Sequence, residues 1–140
     1  MNFISYEDFQ KTVDYQNFIA ENPDTGTLKV EVFTAYGAIP IPDTEVLITK
    51  DVGNNTVTFF RGTTDSSGII DNIQLPAPPA NYAPTPYSLP QYTIYNLTAI
   101  HEGYESIKRY NIGVFGGIKI IQYVKMTPEV NLQGVDTNGS

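Results

Sequence analysis

The 140-residue sequence has no cysteine and a single histidine, His101. Without thiols it can form no disulfide, no zinc–thiolate site and no thiol nucleophile. A missing disulfide does not choose between compartments. With one imidazole, any Ser–His or His–metal arrangement would have to include His101. Basic residues are also scarce: 8 Lys and Arg stand against 15 Asp and Glu, for a net charge of -7. A phosphate backbone or an anionic bilayer would be repelled, so nucleic acid is not an expected partner. No run reaches the roughly 18 apolar residues of a membrane-spanning helix, so no membrane insertion is expected. The opening residues M-N-F-I-S-Y-E-D-F carry Glu7 and Asp8 and no basic segment, and do not read as a secretory signal.

What the chain does contain is aromatic, β-branched and turn-forming. There are 10 Tyr, 7 Phe, 11 Gly and 10 Pro, while charged residues make up only 16%. That balance suits one all-β domain with many turns.

Residues 1–25 differ from the rest. Ser5-Tyr6-Glu7-Asp8 carries the S-x-x-D helix-start signal, and Tyr6, Phe9, Val13, Phe18 and Ile19 form an imperfect helical stripe. The expected element is a short N-terminal helical arm ended by a turn at Pro23-Asp24-Thr25-Gly26. It either packs on its own domain or docks on a neighbouring subunit. From Thr27 the period becomes two, the mark of half-buried strands. Strands are expected at Thr27–Thr34, Thr44–Lys50, Thr56–Arg61, Ile69–Leu75, Tyr92–His101, Tyr104–Val114 and Ile118–Met126. Gly53-Asn54-Asn55, Glu102-Gly103 and Phe115-Gly116-Gly117 read as tight turns. The six prolines between Pro76 and Pro90 exclude a central strand there. Residues 128–140 have no period and read as a flexible tail.

Three stretches carry a family likeness. The first is L-K-V-E-V-F-T-A-Y-G-A-I-P-I-P-D-T-E-V-L-I-T, an opening strand, a small-residue loop and a second strand. The next is T-T-D-S-S-G-I, a T-D-x-x-G turn before a short strand. The third is Y-T-I-Y-N-L-T-A-I-H-E-G-Y-E-S, near the end. Over residues 26–127 the chain resembles the transthyretin-like (prealbumin-like) sandwich of carboxypeptidase regulatory-like domains. The resemblance implies a seven- to eight-stranded Greek-key β-sandwich. It implies no peptidase chemistry, because that module is the appended, non-catalytic part of those proteins. Hydroxyisourate hydrolases of related fold end in Y-R-G-S and carry several histidines, which this chain lacks. A Lys–Asn isopeptide bond is not implied either: Lys29 stands in the first strand, but Tyr95-Asn96-Leu97-Thr98-Ala99 offers no Glu.

Candidate chemistry is thin. His101 sits beside Glu102-Gly103 and reads as a surface-turn histidine. Asp65 and Asp71, with Ser66 and Ser67, could offer oxygens to Ca²⁺, which needs roughly six to eight of them. An Asp65 side chain capping its own turn, with Gly68 at φ > 0, explains the same residues without a metal. Phe115-Gly116-Gly117 lacks the following helix that an anion site needs. Neither a catalytic residue, a cofactor nor a metal is expected. Tyr82, Tyr87 and Tyr92, in or beside the proline-rich segment, either cover one end of the sandwich or bind a glycan. Phe33 and Phe60 fall on the outward phase of their strands and read as exposed apolar contact surface.

The expectation from sequence is a non-catalytic structural or interaction subunit rather than an enzyme. It would be self-associating or part of a bacterial surface, spore or filament assembly. The candidate contact residues are Phe9, Val13, Phe18, Ile19, Phe33, Phe60, Tyr82, Tyr87 and Tyr92, with a carbohydrate-binding accessory module as the alternative. The expected partner is protein, a homo-oligomer or a larger assembly, and the favoured location is the cell surface, spore or an extracellular assembly.

Overall fold

Alternating strands dominate the backbone, with one unexpected addition at its start. The computed structural model describes residues 2–36, 38–79 and 91–130. Its elements run β1 (Asn2–Ser5), α1 (Tyr6–Phe9), α2 (Val13–Glu21), β2 (Asp24–Thr34), β3 (Glu45–Val52), β4 (Asn55–Thr63), β5 (Ile69–Ala77), β6 (Thr93–Ile100), β7 (Ile107–Val114) and β8 (Lys119–Met126). The strands form a five-stranded sheet of order β1-β4-β3-β6-β7 and a three-stranded sheet of order β5-β2-β8. Among the described residues the chain is thus mostly β, with two sheets and two short helices.

Period-two patterning places the core between the sheets. Leu28, Val30 and Val32 of β2, Ile73 and Leu75 of β5, and Val124 and Met126 of β8 meet Val46, Ile48, Tyr95, Leu97, Ile112 and Val114 of the larger sheet. Burying each such side chain contributes about 1.5–3 kcal/mol. β2 is the centre of the smaller sheet. It runs antiparallel to β5 and parallel to β8, with Val32 opposite Val124 and Thr34 opposite Met126.

Three strands cannot cover five. The fully buried residues that the larger sheet gives the main core come from β3, β6 and β7; β4 adds only the half-buried Phe59 and Phe60, and the helices cover the rest of it. Phe9, Phe18 and Val57 form a second buried cluster, joined by Tyr6, Tyr15 and Phe59. Phe59 links the two clusters: its ring lies 5.5 Å from Phe18 and 5.1 Å from Tyr95.

Three local expectations are corrected, and a strand is added before the helix: β1 pairs in parallel with β4, Asn2 opposite Asn55 and Ser5 opposite Thr58. The helix then starts where the cap signal placed it, with Asp8 N–H donating to Ser5 Oγ at 3.1 Å. It breaks after one turn, and α2 follows from Val13. Pro23–Gly26 is not a turn, since β2 already begins at Asp24 and Thr25 lies opposite Pro76. Phe60 does not point outward. A bulge in β4 leaves Phe59 without a partner, since Ile48 faces Phe60 and Thr49 faces Thr58. The extra residue shifts the phase, so both Phe59 and Phe60 pack on the main core.

The T-T-D-S-S-G stretch is the crossing from β4 in one sheet to β5 in the other. Asp65 Oδ1 accepts from Ser67 N at 2.8 Å and from Ile69 N at 3.0 Å. Gly68 adopts φ +74, and a Cβ there would lie 2.5 Å from the Val32 carbonyl oxygen. Both backbone and space require glycine.

Candidate functional site

The feature that packing does not explain is Lys50. Along β3 the inward side chains are Val46, Ile48 and then Lys50, whose cross-strand neighbour Val57 is fully buried. β3 lies in the interior of its sheet, so an inward charge there does not protect an edge. Nζ donates to the Ile94 carbonyl at 3.0 Å and stands 5.8 Å from the centroid of the Tyr95 ring. Among the described residues, no carboxylate lies within ion-pair distance of it. Burial holds the Lys50 ammonium below the ordinary lysine pKa, and the neighbouring Asp51 partly offsets this.

Lys50 opens into a groove with a cavity volume of about 650 Å³. One wall is α2, where the spacing of Asp14, Asn17 and Glu21 puts them on one side of the helix while Phe18 is buried. The other is the end of β3 with its turn, Asp51, Val52 and Gly53, and the start of β6, Tyr92, Thr93 and Ile94. Gly53 has φ +61 and sits under the Asp14 carboxylate, where a Cβ would come within 2.3 Å of Oδ2.

A buried polar clasp fixes the base of the groove. Asn22 Nδ2 donates to the Phe18 carbonyl at 2.9 Å, and Thr93 Oγ1 donates to Asn22 Oδ1. The clasp joins the end of α2 to the start of β6, and it satisfies polar groups that burial would otherwise penalise. Beneath it, Tyr95 is fully buried and its hydroxyl donates to the Pro76 carbonyl. Burial, and secondarily the nearby Tyr6, push the Tyr95 hydroxyl well above the usual tyrosine range.

The residues singled out by sequence scatter. Tyr92 lies on the groove rim, exposed, with its ring 5.4 Å from Phe115. Tyr82 and Tyr87 lie outside the described residues. Phe9 and Phe18 are buried in their own domain and unavailable to a second chain. Val13 is exposed and Ile19 half-buried. Phe33 faces outward but is half-covered by Tyr123, 6.3 Å away. His101 Nδ1 donates to the Glu102 carbonyl at 2.7 Å, and its ring meets Tyr104 edge-on. Asp71 is bound by Lys119 at 2.9 Å, and that hydrogen bond holds its carboxyl below the usual range. Among the described residues, no three His, Cys, Asp or Glu side chains cluster closely enough for a metal. Lys50, Asp14, Asn22 and Thr93 were not singled out.

No protein-family model matches the sequence. No curated protein matches it. Among solved structures, the chain is similar to 3-chlorocatechol 1,2-dioxygenase from Rhodococcus opacus 1CP. The TM-score is 0.50 at 11% identity, covering 76% of this chain and 61% of that one. It is also similar to a mercury-inhibited catechol 1,2-dioxygenase from Acinetobacter sp. ADP1, with TM-score 0.49 at 12% identity, covering 92% of this chain and 58% of that one. The chain thus spans about three-fifths of their length, and the likeness is one of fold.

The expectation of a non-catalytic, self-associating subunit is corrected. It rested on the thin candidate chemistry, the long extended segments and the aromatic surface, and the fold resembles that of an enzyme. The arm meant to link subunits is also spent within the chain: β1 extends its own sheet, and Phe9 and Phe18 cover its own β4.

Proposed function

We propose that this is a transthyretin-like Greek-key domain that binds a small molecule in the groove between α2, the β3–β4 turn and the start of β6. The return of β6 to lie beside β3, after the chain has crossed to β5 in the other sheet, supports the Greek-key layout. The ligand presents a hydrogen-bond-accepting oxygen, a carboxylate or a carbonyl, to Lys50 Nζ and lays its flat part against Tyr92.

The observation that carries this reading is the inward lysine of β3. Its stem can be accounted for as apolar cover on Tyr95. Its head is half-buried and, among the described residues, has the Ile94 carbonyl as its hydrogen-bond partner, so it has hydrogen-bonding capacity to spare. A leucine or methionine would fill the same space at lower cost. Binding sites of this kind are mostly apolar concavities with a few placed polar groups.

The test is a titration followed by amide chemical shifts, using 4-methylbenzoate as a flat carboxylate. Saturable shifts are expected at Lys50, Thr93 and Ile94 and are lost in Lys50→Met. Shifts that never saturate, or that persist unchanged in Lys50→Met, would remove the reading.

A further inference from the structure

We propose that Lys50 captures aldehydes and ketones that enter the groove, forming a reversible imine at Nζ. The proposal rests on the groove being a ligand site and names the ligand class, carbonyl compounds.

The argument is one of contrast among the six lysines, Lys11, Lys29, Lys50, Lys108, Lys119 and Lys125. An amine must be neutral to add to a carbonyl carbon. Lys11, Lys29 and Lys119 pair with Asp8, Glu31 and Asp71, at 3.9, 3.3 and 2.9 Å. Lys108 and Lys125 are exposed. Lys50 alone combines partial burial, no ion-pair partner among the described residues and an open cavity at its head.

The groups around it define the balance. Asp51 on its own strand favours the charged form. Asp14 and Glu21 line the groove from α2 and Tyr92 from just before β6, while the buried Tyr95 ring has its centroid 5.8 Å from Nζ. Burial outweighs Asp51 in the direction of the shift, so the neutral amine is more accessible here than at an exposed lysine. The Ile94 carbonyl accepts one N–H, and a neutral amine making that bond keeps its lone pair.

The step is balanced without a further reagent. The Nζ lone pair adds to the carbonyl carbon, the C=O π pair moves onto oxygen, and one Nζ proton passes to that oxygen, giving the hydroxyl of a carbinolamine. Nitrogen loses its remaining proton as that hydroxyl leaves as water, giving C=N. Solvent reaches the open groove, so hydrolysis returns the free lysine.

The experiment incubates the intact protein at pH 7 with 4-formylbenzoate and cyanoborohydride, which adds hydride to the imine carbon. Each lysine is then followed by peptide mass. Lys50 is expected to be converted at least about five-fold faster than any other lysine. An excess of 4-methylbenzoate is expected to slow Lys50 alone. Lys50→Arg should lose the fast label. Conversion of Lys50 no faster than Lys108 or Lys125 would overturn the proposal, and if 4-methylbenzoate still bound, the ligand groove itself would stand. Fast, selective conversion without 4-methylbenzoate binding would uphold the reactive lysine and remove the carboxylate reading.

Discussion

The Tyr95 hydroxyl donates a 2.6 Å hydrogen bond to the Pro76 carbonyl, tying β6 of one sheet to β5 of the other. The bond crosses the core beside the groove. Removing the hydroxyl leaves a carbonyl without its partner inside the sandwich. Tyr95→Phe is therefore expected to cost about 1–3 kcal/mol. Urea unfolding with an unchanged slope would measure it, and a loss below about 0.5 kcal/mol would show that water replaces the bond.

The crossing between the sheets depends on Gly68. Its positive φ and the 2.5 Å approach to the Val32 oxygen act together. Gly68→Val should lose about 3 kcal/mol, while Ser66→Ala and Ser67→Ala should stay within about 0.5 kcal/mol. Thermal midpoints of the three variants test the contrast, and a tolerated valine would refute the geometry.

The clasp predicts a local effect. Asn22→Ala breaks the bonds to the Phe18 carbonyl and Thr93, and should cost about 1–3 kcal/mol. Amide exchange should accelerate over α2 first, with the β2 and β6 amides still protected. Uniform acceleration across both sheets would mean that the helix and the sandwich open together.

Lys50 predicts a stability that depends on pH. Its folded pKa is depressed below 10.5. Between the folded and the unfolded values the unfolded chain binds more protons, so stability rises with pH across that window. Below the window both states are protonated, and the desolvated charge is a constant handicap. Lys50→Met should therefore raise the thermal midpoint at pH 7, and its advantage should shrink as the pH climbs through the alkaline window. A methionine variant less stable than wild type at pH 7 would show that the ammonium contributes more through Ile94 than it loses by burial.

Much of this was legible in the residues. The alternation from Thr27 gave the strands, Gly53-Asn54 the hairpin and Ser5 the helix start. The T-T-D-S-S-G turn was readable because an Asp side chain and a Gly have few other joint uses. β1 was hidden, since four residues are too short to show a period and its partner β4 is over fifty positions away. Phe60 was misplaced because a bulge leaves no mark in the sequence. The inward phase of Lys50 could have been counted from Val46 and Ile48. Its opening into a cavity could not, because that depends on where α2 comes to rest.

The parallel pairing of β2 with β8 joins the first core strand of the sandwich to the last. During synthesis, β2 and β5 would emerge with their apolar faces ready and Val124 and Met126 not yet made. The core therefore cannot close until residues 119–126 have cleared the ribosome. Until then the nascent chain carries an open sheet edge and an uncovered apolar face, and that is the interval in which chaperone protection matters most to it.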